Sequence, residues 1–397
     1  MTRLRAVLLL CLSIGPVAAQ KKPAEDPATE SFRALAEGFD EASALFRKAF
    51  DAAKTPEAKK KAIDTLQPRA EDFAVRFVAL AKANPKSPAA VDSLSWVITH
   101  PISPESPRAD LRAKALESLA SDYLDDARIG KLCTQLVHSA DEASEKFMRQ
   151  VYAKGSTAGM KARACASLAH NLKFRARLIR SLKEDADAVK DYERGLGKVA
   201  VARLQKADPK ALLEESESLF AVVGEKYGKM GHPLHGSMKE LARWHLLSIR
   251  RPITIDKPAP NVVGEDIDGK QMALRDFAGK VVLLDFNATH FAPCRQMLGY
   301  ERGLVARLAG KPFALIGVNG DADKVALRKF VAAEKITWRM WSDGGGTGGP
   351  IATRWEVDGW PTLVLIDAKG VVRAIYEGWP ETKTLDAEID KLVAEAK

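Results

Sequence analysis

Cysteine is scarce in this chain, with four in 397 residues, at positions 11, 133, 165 and 294. Residues 1–19 read as a leader, which leaves three thiols, an odd number that cannot be fully paired within one molecule. In an oxidising compartment at least one of them is free, blocked or joined to another chain. After the N-terminus no run approaches the ~18 uninterrupted apolar residues of a transmembrane helix, so no membrane span is expected once the leader is removed. No fixed 34-residue repeat period persists. Basic residues exceed acidic ones by nine, yet residues 253–397 are close to neutral. The excess lies in stretches where lysine and arginine alternate with acids and no aromatic-studded basic stripe forms. A solvated helical surface is the reading, and no nucleic-acid partner is expected.

Other chemistries lack their residues. No Ser/His/Asp arrangement has supporting context. His290 with Cys294, and His232 with His235, are pairs, and two ligands do not make a zinc site; no metal is expected. Gly344, Gly346 and Gly349 match G-x-G-x-x-G, but late in the chain and far from a first βα turn, so no dinucleotide cofactor is expected. Those glycines let the backbone turn.

What is present begins with MTRLRAVLLLCLSIGPVAAQ. Arg3 and Arg5, the apolar stretch Ala6–Ile14 and the small residues Val17-Ala18-Ala19 form a secretory signal pattern. The expectation is an exported chain in a periplasm-like or other extracytoplasmic compartment.

The rest divides by its grammar. Residues 20–250 form one region, expected to be an α-helical domain, either a bundle or an irregular set of helical repeats that serves as an interaction scaffold. Phe32, Leu35, Phe39, Ala42, Phe46 and Phe50 recur at three- and four-residue steps. Breaks fall at Asn84-Pro85, the proline-rich run 100–107, Asp208-Pro209 and Gly231-His232-Pro233. Residues 253–397 form the second region. VVLLDFN and FALIGVN read as buried strands, TLVLID and VVRAIYEG as a strand pair across Asp367–Gly370, and 294–308, 323–334 and 382–396 as helices. Strands alternating with helices specify an α/β sheet covered on both faces.

Within this region Phe286, Ala288 and Ala292-Pro293-Cys294-Arg295 are followed much later by Gly359-Trp360-Pro361-Thr362. This pattern resembles the redoxin, or TlpA-type and AhpC/TSA-like, branch of the thioredoxin superfamily, whose motif reads Phe-Trp-Ala-x-Trp-Cys-x-Pro-Cys-Arg. Asn287 and His290 stand where that motif has tryptophans, and Phe291 stands where it has its first cysteine. The resemblance implies a thioredoxin-like fold, a cis-proline at Pro361, a buried proton-accepting acid at Asp285, and a protein or thiol partner. The site would comprise Cys294 as the catalytic candidate, lined by Asp285, His290, Phe291, Pro293, Arg295, Trp360 and Pro361.

Thiol–disulfide exchange requires one thiolate to attack and a second thiol to resolve the mixed disulfide. Phe291 has no ionisable proton, so the dithiol cycle is not expected. Cys294 has three readings: a small core residue, a single thiol activated by the helix N-terminus and Arg295, or a partner for Cys133 or Cys165. A non-catalytic binding module using the Pro361 groove and the helical region is the alternative to single-cysteine chemistry.

Overall fold

The structure, a computed structural model, describes residues 26–396 apart from Pro101 and Asp185; the expected leader lies outside them. The described residues fall into two compact units, which divide between Ile102 and Ser103. The first contains α1 (Pro27–Ala52), α2 (Pro56–Leu66), α3 (Ala70–Ala83) and α4 (Pro88–Thr99). Three of these start the same way. Asp26, Thr55 and Ser87 each accept a hydrogen bond from a first-turn N–H, and a proline follows directly. An acceptor satisfies a backbone donor that the helix leaves over, and proline at the first helical position has none to waste. The phenylalanine periodicity of α1 is spent on packing: Phe32 meets Phe77, and Phe39 meets Phe73 and Trp96 edge-on.

The second unit opens with α5 (Leu111–Asp122), α6 (Ile129–Gln135), α7 (Glu142–Lys154), α8 (Ala158–Glu184), α9 (Ala186–Leu196), α10 (Lys198–Lys206) and α11 (Pro209–Lys226). A short hairpin, β1 (Gly231–His232) with β2 (Gly236–Ser237), then leads into α12 (Met238–Arg250). The helix α8 is central; Cys165, Leu168, Leu172 and Ile179 are buried as α6, α7 and α11 pack around it. Asn171 on α8 donates to the carbonyls of Leu136, Val137 and Ser139 at 3.2, 3.1 and 2.7 Å, which fixes the loop between α6 and α7.

The remaining elements are β3 (Val263–Glu265), β4 (Gln271–Ala273), β5 (Val281–Asn287), α13 (Ala292–Arg307), β6 (Phe313–Asn319), α14 (Lys324–Ala333), β7 (Met340–Ser342), α15 (Pro350–Arg354), β8 (Thr362–Ile366), β9 (Val372–Glu377) and α16 (Thr382–Glu395). Five strands form one sheet in the order β7-β6-β5-β8-β9. The β5–β6 and β6–β7 pairs are parallel, and β5–β8 and β8–β9 are antiparallel. The expected α/β region with a helical region before it is thus the observed fold class.

Strand alternation builds the two cores. Leu283, Leu315, Leu363 and Leu365 pack with residues of α13, α14 and α16. Val282, Leu284, Phe286 and Val318 pack instead with Trp341, Ile351 and Trp355. Asp285 is two residues beyond Leu283 on a strand buried throughout its length. Period-two geometry therefore places its carboxyl on the α13 face, inside the protein.

Candidate functional site

The helix α13 leaves the end of β5 after four residues, and Phe291 is its N-cap, with φ −91° and ψ 118°. A phenyl ring has no acceptor, so no side chain caps this end. Phe291 is 40% exposed, whereas Cys294, one turn further on, is 7% exposed. Pro293 lies in the helix's first turn. Burial pushes the Cys294 thiol up to about 12, and the carboxyl groups of Asp285, Glu301 and Asp321 add to the rise. The Arg295 guanidinium donates to the Thr289 carbonyl at 3.0 Å. Desolvation is the largest influence on this thiol, and three acids lie on the same side of it. Cys133, Cys165 and Cys294 are all free and buried. Burial also lifts the first two thiols, to about 12 and about 11.

Beneath Cys294 runs a chain of polar groups from core to surface. Glu301 on α13 is 1% exposed. Burial, with the charge of Asp285 beside it, pushes its carboxyl far above the ordinary value, and it is hydrogen-bonded to Asp285. Burial also raises Asp285. Two acids this close in a dry interior cannot both ionise, so Glu301 carries the proton and donates it to Asp285. The Asn287 amide donates to the Asp285 carboxylate. Asn319 Nδ2 in turn donates to Asn287 Oδ1 at 2.8 Å, and Asn319 Oδ1 accepts the Asp321 N–H at 2.9 Å. The chain ends at Asp321, which accepts the Thr289 N–H at 3.0 Å and meets His290 Nδ1 at 3.1 Å. Asp321 is partly desolvated, but its bonds with Thr289 and His290 hold its carboxyl below the ordinary value. Asp285, Asn287, Cys294, Arg295 and Asn319 surround a cavity of ≈ 20 Å³, room for about one water.

Others of the expected residues line a second cavity. The Trp360–Pro361 bond is cis. Trp360 and Pro361 line a separate groove of ≈ 210 Å³ together with Arg177, Ile253, Ile375 and Glu377. Trp360 also covers Gly320, where an added Cβ would lie 2.7 Å from its Cζ2. Of the expected residues, Asp285, Cys294 and Arg295 thus share one cavity, Trp360 and Pro361 share the other, and Phe291 and His290 face solvent.

Residues that sequence spacing does not single out border the groove. Arg177 on α8 binds Asp358 Oδ2 at 2.7 Å and also donates to the Glu356 carbonyl. His138 and His170 approach the other oxygen of Asp358 at 3.8 and 4.0 Å. Desolvation of Asp358 is outweighed by these two imidazoles and by Arg177, which hold its carboxyl well below the usual range. Burial lowers the pKa of His170. Glu301 could have been suspected as an acid on the apolar face of α13; the other four are scattered along the chain and left no local signal.

A mixed sheet in this order, with a helix leaving central strand β5 at a Pro-Cys step, defines a thioredoxin-like domain. The AhpC/TSA family matches residues 255–375. The thiol-disulfide oxidoreductase ResA of Bacillus thuringiensis subsp. konkukian is 31% identical over 138 residues, 35% of this chain and 78% of that protein. The thioredoxin-like protein YneN of Bacillus subtilis is 30% identical over 135 residues, covering 33% of this chain and 76% of that one. Through its C-terminal domain the chain belongs to this family of thioredoxin-like redoxins. Among solved structures, the thioredoxin domain of a thiol-disulfide oxidoreductase from Bacteroides vulgatus is similar at 24% identity and a TM-score of 0.32, over 36% of this chain and 99% of that chain.

Proposed function

We propose that this chain is an exported redoxin-family protein whose thioredoxin-like domain, residues 253–397, does not cycle a dithiol but holds a protein partner. In this reading residues 1–19 are a leader and residues 20–250 a helical scaffold. The observation that carries it is the exchange of roles at the start of α13. The exposed position holds Phe291, and the thiol that remains, Cys294, is buried and protonated. A phenyl group cannot attack a disulfide, and a thiol with a pKa near 12 supplies almost no thiolate at neutral pH. The same buried thiol also weighs against single-cysteine chemistry.

The groove beside Trp360 and Pro361 supports binding. It combines apolar walls from Ile253, Trp360 and Ile375 with a charged rim of Arg177 and Glu377. Such a surface suits an extended peptide with one apolar and one polar side chain. A disulfide-reduction assay on the full chain and on Phe291→Cys tests the reading. The unaltered chain is expected to show no turnover, and turnover by it would overturn the reading. Peptide-array binding that is lost in Trp360→Ala but kept in Cys294→Ser would support the groove, whereas the opposite pattern would exclude it.

A further inference from the structure

The geometry points to a binding site for a divalent transition-metal ion of zinc type formed by His138, His170 and Asp358. This inference is independent of the peptide-binding reading. The three residues come from three places: the loop after α6, the middle of α8 and the segment just before β8. Each offers one donor atom, and these atoms lie within 4.8 Å of one another. The two imidazole Nε2 atoms stand 3.8 and 4.0 Å from Asp358 Oδ1. These separations are too long for hydrogen bonds. They leave a gap between three donors, whose common centre lies roughly 2.5 Å from each; closing inward by about 0.4 Å gives the ~2.0–2.2 Å of zinc bound to nitrogen or carboxylate oxygen.

The donors are held from behind. Asn171 pins the loop carrying His138 through three carbonyls, Leu136, Val137 and Ser139. Arg177 takes Asp358 Oδ2 at 2.7 Å and so leaves Oδ1 turned toward the imidazoles. The nearby ammonium of Lys173 is directed to the Ser248 hydroxyl at 2.6 Å. His170 packs with its ring centroid 4.8 Å from that of the buried His245, whose Nδ1 has no hydrogen-bond partner. Two imidazoles and a carboxylate are a donor set suited to zinc or a neighbouring first-row ion, with water completing the shell on the exposed His138 side. The ion would bind α8 and the α6–α7 loop to the segment that enters β8 at Pro361.

The test uses the untagged full chain, stripped with a chelator and titrated with Zn²⁺ by calorimetry. One ion per chain is expected, with affinity falling at least tenfold in both His138→Ala and Asp358→Asn and unchanged in His232→Ala. Co²⁺ is expected to give visible d–d bands without a thiolate charge-transfer band. His138 is on the exposed side of the cluster, so His138→Ala stays informative even if His170→Ala fails to fold. No stoichiometric binding, or equal binding by His138→Ala and the unaltered chain, would overturn the proposal.

Discussion

Replacing Glu301 by glutamine is expected to stabilise the protein, by an amount that depends on pH. Glu301 is 1% exposed, one of its oxygens has no partner, and its proton is shared with Asp285. In the native state the group stays protonated far above the value of a free glutamate; in the unfolded chain it ionises near pH ~4.3. The native state then binds more protons than the unfolded state, so stability falls as pH rises above that unfolded value and continues to fall up to the raised native one. Each pH unit costs about 1.4 kcal/mol, so keeping the proton at pH 7 costs about 3–4 kcal/mol. Glutamine has nearly the same shape, is neutral at every pH, and retains an N–H to donate to Asp285. Urea unfolding followed by tryptophan fluorescence should therefore show little difference between Glu301→Gln and the unaltered chain at pH 4. The variant's advantage should widen to about 3–4 kcal/mol at pH 7. A difference that does not change with pH, or a variant weaker at every pH, would refute the shared-proton account.

Three further outcomes follow from the same structure. At pH 8 a thiol with a pKa of about 12 is ionised in about one part in 10⁴, so Ellman's reagent should label Cys294 about 10³-fold more slowly than it labels the urea-unfolded chain; labelling within tenfold would contradict the burial argument. Asp343→Ala removes the acceptors of the Ile351 and Ala352 N–H groups at 2.8 and 2.9 Å and should cost about 1–2 kcal/mol in urea unfolding. Phe286→Ala empties a fully buried position in the core beneath β5, with an expected loss of about 3–5 kcal/mol in the same measurement.

Much of the sheet domain was legible because its signals are local. VVLLDFN and FALIGVN are continuous apolar runs of strand length, and both form strands over the full seven residues. β7 escaped because Met340–Ser342 is three residues long, too short for a period to emerge. At the candidate site, the loss of a cysteine at Phe291 could be read residue by residue. The protonation of Cys294 could not, because it depends first on burial by tertiary packing and then on Asp285, Glu301 and Asp321 lying to one side of the thiol. Asn287 looked like a missing tryptophan; in the fold it joins Asp285 to Asn319 in a polar chain. The His138–His170–Asp358 cluster spans more than 200 positions of sequence, and only tertiary packing assembles it.

The glycine-rich turn near residue 345 has a consequence for how this protein can be taken apart. Leu234, from the hairpin before α12, rests on Gly345, where any Cβ would come within 2.2 Å of Leu234 Cδ1. His235 beside it is bonded through Nε2 to the Gly348 carbonyl at 3.1 Å. Together with Arg177 on Asp358, these contacts join the sheet domain to the helices before it at two places well apart in sequence. Expressed alone, residues 253–397 would uncover a bare glycine seat and an aspartate stripped of its arginine. A graft of this domain between relatives is expected to keep more of its stability when the Leu234 hairpin and α8 travel with it.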